Sequence, residues 1–177
     1  MRRLLFSLFL LFPSLLNAQT GVGPEVMGRA GIVQLWDDEG NIGTGPALAG
    51  GVGVRLPGGF GAEALVERHT NERHFTSGVS FDSHALAVTG RILKYVGRGN
   101  TRPYFGGGAG VTRITTRSEF PGLSEPHERT TTSPLLSGFA GVRIDTRKGV
   151  FFRPEFDFSK AGEHLRMAGT VAVGFGW

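Results

Sequence analysis

The sequence predicts an all-β protein, an eight-stranded antiparallel up-and-down transmembrane β-barrel. Three observations carry that expectation. An apolar leader opens the chain, eight later segments alternate apolar with small or polar residues, and short and long connections alternate between them. Composition bounds the rest. Glycine makes up 29 of 177 residues, well above the usual ~7%. The apolar share of 40% is ample for a folded chain. The lack of cysteine excludes disulfides, thiolate metal sites and cysteine nucleophiles. Setting aside Arg2 and Arg3 in the leader leaves 17 basic against 15 acidic residues, with no basic stripe suited to nucleic acid.

The leader has three parts. Met1-Arg2-Arg3 is positive, residues 4–16 are apolar apart from Ser7, Pro13 and Ser14, and Ala18 offers a small residue before Gln19. This is the layout of a secretory signal peptide. Its apolar run of ~13 residues is short of the ~20 that a membrane-spanning helix needs. Residues 1–18 are therefore expected to be removed on export, leaving 19–177 as one barrel domain. No later window holds 18 apolar residues, which excludes a helical membrane protein.

A strand turns successive side chains to opposite faces, so each segment can be read as two faces. The first, 26–36, is the least regular, and its alternation breaks at Ile32 and Val33. Segment 47–56 sets Leu48, Val52, Val54 and Leu56 against Ala49, Gly51, Gly53 and Arg55. Segment 60–69 sets Phe60, Ala62, Ala64 and Val66 against Glu63, Leu65 and Glu67. Leu86, Val88 and Ile92 oppose Ala87, Thr89 and Arg91 in segment 86–94. Segment 103–113 carries Phe105, Ala109 and Val111 opposite Tyr104, Thr112 and three glycines. In 134–145, Leu136, Ala140, Val142 and Ile144 face away from Ser137, Phe139 and Arg143. In 150–160, Phe152, Pro154, Phe156 and Phe158 oppose Arg153, Glu155, Asp157 and Ser159. The last segment, 165–177, sets Val171, Val173, Phe175 and Trp177 against Arg166, Thr170 and small residues. Oily side chains outward toward lipid, with small and charged ones inward, is the split a membrane barrel requires.

Connections at 57–59, 97–101 and 146–149 are tight turns rich in Gly, Pro and Asn. Those at 37–45, 70–78 and 115–133 are longer and polar, and a shorter one covers 160–163. Short inner turns and longer outer loops alternate in this way in outer-membrane barrels. Pro154 is the local exception, since a closed barrel has no edge strand to host a proline; it marks a bulge or the start of regular pairing.

The segments Arg102-Pro103-Tyr104-Phe105 with Gly106 to Gly110, and the terminal Val171-Ala172-Val173-Gly174-Phe175-Gly176-Trp177, resemble the outer-membrane β-barrel family grouped around the OmpA-like transmembrane domain and small porin-like proteins. The resemblance implies an outer-membrane location in a Gram-negative type envelope. It also implies that Val171, Val173, Phe175 and Trp177 form the signal read by the barrel-assembly machinery, with Trp177 in place of the more usual phenylalanine.

The charged inward face is the candidate site. Arg55, Glu63, Glu67, Arg91, Arg143, Arg153, Glu155, Asp157 and Arg166 are expected to form a structural ion-pair network, because an eight-stranded barrel encloses room for little but side chains. Charges sealed there need partners to offset desolvation. Glu155 and Asp157 read as an acid/base pair would be the enzymatic alternative. Ser159, Glu163 and His164 invite comparison with outer-membrane lipid A deacylases, but no histidine is followed at the second place by serine. His69 and His74 are the only nearby pair for zinc, and no metalloprotease spacing exists. The chain is thus expected to use no cofactor or metal and to be no enzyme. Its expected partners are membrane lipid, the assembly machinery and an extracellular partner contacting the outer loops, 115–133 above all. Minor small-solute passage is a lesser role. A secreted soluble barrel holding an apolar ligand and a lipid-modifying enzyme are the alternatives.

Overall fold

The protein is described by a computed structural model covering residues 22–37, 40–74, 80–119, 127–146 and 148–177. The leader expected over 1–18 lies outside these residues. The described chain forms β1 (Gly23–Asp37), β2 (Gly40–Leu56), β3 (Phe60–His74), β4 (Ser80–Tyr95), β5 (Thr101–Glu119), β6 (His127–Asp145), β7 (Val150–Ala161) and β8 (His164–Gly176). Each pairs antiparallel with its sequence neighbours, and β8 returns to β1 to close the barrel.

The register fixes the shape. Starting at Thr101 on β5, the outward row runs through Ile144, Phe152, Val173, Gly28, Gly50, Val66 and Val88. It returns to β5 at Val111, ten residues further on. That stagger tilts the strands by roughly 40° and leaves a bore that side chains fill.

The outer and inner faces fall as the alternation predicts. Leu48, Ile92 and Leu136 are 66%, 66% and 67% exposed, whereas Arg143 and Arg153 are 1% exposed. Phe156, Val173 and Phe175 point outward with them. The apparent break at Ile32 and Val33 is not a break in the strand. Ile32 faces out, and Val33 faces in against Ala47 and Ala168. The one irregularity of β1 is a shift of register with β2 between Leu35 and Trp36.

Pro154 is neither a bulge nor a strand start. It lies inside β7 facing outward, and the β6–β7 register is the same on either side of it. Pairing to β6 is simply interrupted between Glu155 and Phe152, where the ring has no N–H to donate.

The strands are longer than predicted. Much of 37–45, 70–78 and 115–133, read as loops, continues as paired strand, so β5 and β6 reach 19 residues each. About ten residues suffice to cross a bilayer at this tilt. The remainder forms a wall beyond the apolar band, where both faces are polar and alternation of hydropathy disappears. Threonine sustains it there, since β-branched side chains favour extended backbone. Thr115 and Thr130 are paired, with their hydroxyls 3.0 Å apart.

Inward glycines permit close packing. A Cβ at Gly106 would sit 2.5 Å from Phe139, and one at Gly174 would sit 2.2 Å from Phe151. Phe151, fully buried, packs with Met27 and Leu65, while Tyr95, Tyr104, Leu93 and Phe139 form a second cluster.

Candidate functional site: the charged lumen

All nine predicted lumen residues face the bore, and Arg55 alone retains appreciable exposure. They come together because same-face residues recur at every second position. Arg153, Glu155 and Asp157 are consecutive inward residues of β7, and Glu63 and Glu67 lie four apart on β3.

Arg153 is the centre of the network. Its Nη2 donates to Glu63 Oε2 at 3.2 Å and to Glu155 Oε2 at 3.3 Å, and its Nη1 meets the other oxygen of Glu63. Its Nε donates to the Tyr104 hydroxyl at 3.3 Å, and that hydroxyl donates to Glu155 Oε2 at 2.8 Å. On the far side of Glu155, Oε1 lies 2.9 Å from Arg29 Nη1 and 2.7 Å from Arg91 Nη2. Arg29 Nε also donates to Thr170 Oγ1 at 2.7 Å.

A second cluster closes the end bearing the tight turns. Glu25 accepts from Arg143 and lies 2.9 Å from Arg55 Nε. Arg143 Nε donates to Asp145 at 2.7 Å, and Arg102 reaches the other Asp145 oxygen at 2.5 Å. Toward the opposite end, Arg166 pairs with Glu67 and stands 3.8 Å from Asp157. The three clusters hold seven arginines against six carboxylates. Aromatic faces take up further positive charge. The Arg91 guanidinium lies 3.5 Å from the Phe139 ring centroid, and that of Arg143 lies 3.9 Å from Phe151.

The lumen charges are engaged chiefly with one another, while His69 Nε2 and His164 Nδ1 are buried with no hydrogen-bond partner among the described residues. Glu155 is bound by three arginines and a tyrosine. Ser159 is buried and receives Arg166 Nη1 at 3.4 Å, so its contact is an arginine and not His164. Among the described residues no group of three His, Asp or Glu side chains could hold a metal. The side chain of His74 lies outside the described residues. Cavities beside Asp157 and Arg166, and beside His69 and His164, hold about 10 Å³ each, space for roughly one water.

Sequence reasoning missed Glu25, Arg29, Arg102, Asp145 and Tyr104 as members of the network. Period two would have found Glu25 had the first strand been started at residue 23, whereas Arg29 lies inside segment 26–36, where the break in alternation at Ile32 and Val33 obscures its face. Arg102 and Asp145 sit at strand ends next to turns, where charge is ordinary and carries no signal.

No family model and no curated protein matches this sequence. Solved structures do match in shape. Neisserial surface protein A superposes with a TM-score of 0.64 at 14% identity, covering 88% of this chain and 98% of that one. The attachment invasion locus protein of Yersinia pestis, in complex with the heparin analogue sucrose octasulfate, gives 0.64 at 12% identity, covering 90% and 100%. A major outer membrane protein from Thermus thermophilus gives 0.66 at 8% identity, covering 88% and 99%. The fold is that of small outer-membrane barrels. Identity this low speaks to the path of the backbone, so what the lumen does must come from its own residues.

Proposed function

We propose that this chain is exported with loss of residues 1–18 and spans the outer membrane as a plugged barrel. Its role is structural and surface-facing, not enzymatic. One observation carries this reading: large apolar side chains cover the outside while arginines and carboxylates fill the inside. In water that distribution would expose a continuous apolar band far larger than soluble proteins tolerate. A soluble barrel holding an apolar ligand needs the reverse, and the bore here is occupied by charge.

The lumen network serves to fill and brace the bore. Each carboxylate has at least one arginine beside it, which offsets the desolvation that would otherwise expel it. The assembly machinery would read Val171, Val173, Phe175 and Trp177, all of which point outward, with Phe175 and Trp177 stacked at 5.8 Å. The hairpins β3–β4 and β5–β6 carry the polar wall beyond the apolar band and would present their connections to an extracellular partner. Loops on a rigid scaffold are where such specificity resides.

Membrane fractionation with gel migration before and after heating tests the reading. The expected result is recovery only with detergent from the outer membrane and a shift in migration on boiling. Recovery in the soluble fraction, or no shift, overturns it. Activity on lipid A abolished by His164→Ala would overturn the non-enzymatic part.

A further inference from the structure

The outer wall is not uniformly studded with large side chains. Two adjacent outward rows cross β8, β1, β2 and β3: Val173–Gly28–Gly50–Val66 and Val171–Ala30–Leu48–Arg68. Gly28, Ala30 and Gly50 form the floor of a trough of about 600 Å³ between walls that include Val173 and Val66. At its upper end, toward the long hairpins, stands Arg68.

Two features of this trough are unexplained by the barrel itself. Gly28 and Gly50 are not required by the fold: neither has a positive φ, and a Cβ at either would meet nothing within 4 Å. Glycine is disfavoured in strands, so an ordinary apolar residue would serve the wall better and would merely fill the trough. Arg68 is exposed on the same outward face as the apolar band, and no group among the described residues pairs with it. A guanidinium at the border of the hydrocarbon snorkels to the headgroup level, where the anion it meets is a lipid phosphate. Its planar fork suits a phosphate.

We propose that the trough seats one acyl chain of an anionic phosphorylated lipid whose phosphate is held by Arg68. The proposal rests on the membrane-spanning reading above. The molecule also carries an internal contrast. A second trough of about 590 Å³ on the β6–β7–β8–β1 wall, lined by Ala30, Ile32, Phe156 and Gly169, has no outward charge at its rim. It offers the same apolar contact without the headgroup site, and Gly169 likewise has open space above it.

The test uses the refolded barrel in vesicles of dimyristoyl phosphatidylcholine with one-tenth dimyristoyl phosphatidic acid. Native mass spectrometry then reads the lipid retained after mild detergent extraction. The expected result is one phosphatidic acid per barrel. Arg68→Gln should lower retention roughly tenfold, as loss of a charge-assisted contact implies. Gly50→Leu, which fills the first trough, should lower it comparably, while Gly169→Leu should leave it unchanged. Equal retention by wild type and Arg68→Gln overturns the proposal, as does equal loss in both glycine variants. A barrel dimer abolished by Gly50→Leu also overturns it, since the occupant would then be a second copy. Heat-modifiable migration is read on every sample. A barrel that does not insert refutes the spanning reading, whereas one that inserts and retains no phosphatidic acid refutes this proposal alone.

Discussion

The two storeys of the lumen solve the same packing problem with different chemistry. From Glu25 to Glu67 the bore is filled by an arginine–carboxylate lattice packed against Phe139, Tyr104 and Phe151, with Arg143 and Arg153 fully buried. Toward the long hairpins the inward residues become Val33, Leu35, Ala47, Ala85, Ile114, Leu135 and Ala161, with His69 and Asn71 among them. Asn71 Nδ2 there donates to the carbonyls of Gly43 and Val33 at 2.9 and 3.3 Å, tying the wall together without a charge. The difference teaches where each device works. Ionic filling suits the level girdled by lipid, because a lattice of planar guanidinium groups fixes many strands at once. Apolar filling suits the end nearest water, where collapse of small side chains is enough to close the bore.

The contrast can be broken most severely in the lower storey. Arg153→Met preserves bulk but leaves Glu63 without its bidentate partner, and Glu155 loses one of three arginines. Removing one partner of a buried ion pair costs about 3–5 kcal/mol. Urea unfolding in vesicles should show a loss of that size, and Arg153→Met combined with Glu63→Gln should recover most of it. A single variant as stable as wild type would mean the lattice does not brace the barrel. On the outer face, Phe156→Arg should cost about 2–4 kcal/mol in lipid, the usual penalty for a cation near the bilayer midplane. No penalty there would contradict the orientation of the whole wall.

The upper storey should respond as an ordinary core. Leu135→Ala enlarges the small cavity beside His164 and should cost about 2 kcal/mol, at the low end for a buried leucine because the site lies near the open end of the bore. A smaller effect belongs to Tyr104→Phe, which removes the hydroxyl bridging Arg153 and Glu155. The carboxylate keeps its arginines, so the expected loss is about 1 kcal/mol. If Tyr104→Phe proved more damaging than Leu135→Ala, the tyrosine and not the arginine would organise the lattice.

What could be read from the chain follows the same division. β7 and β8 were legible as two-faced strands because lipid outside and charge inside make the alternation extreme, as in Phe152, Arg153, Pro154, Glu155 and Phe156. β1 was not, because its inward face crosses both storeys. Arg29 belongs to the lattice, whereas Val33 and Leu35 belong to the apolar storey, so one face changes character midway along the strand. Glu25 was lost with the boundary. The wall beyond the lipid was illegible for a different reason: water on both sides removes the contrast on which alternation depends. The pairing of Arg153 with Glu63, 90 residues apart, is set by register and is invisible in spacing.

That wet wall gives the smallest predicted effect and the sharpest limit on what the hairpins contribute. Thr115 and Thr130 face each other across β5 and β6 with exposed hydroxyls, so their hydrogen bond competes with water on both sides. Cross-strand pairs of this kind are worth about 0.2–1 kcal/mol. Thr115→Ala should therefore leave the urea midpoint of the barrel nearly unchanged, while proteolysis of the β5–β6 hairpin at low protease should quicken a few-fold as its end frays. Local opening and global unfolding are separate equilibria when few contacts link them. A large fall in global stability from Thr115→Ala would mean that the hairpin and the lipid-girdled barrel unfold as one unit, and that the extended wall is part of the brace.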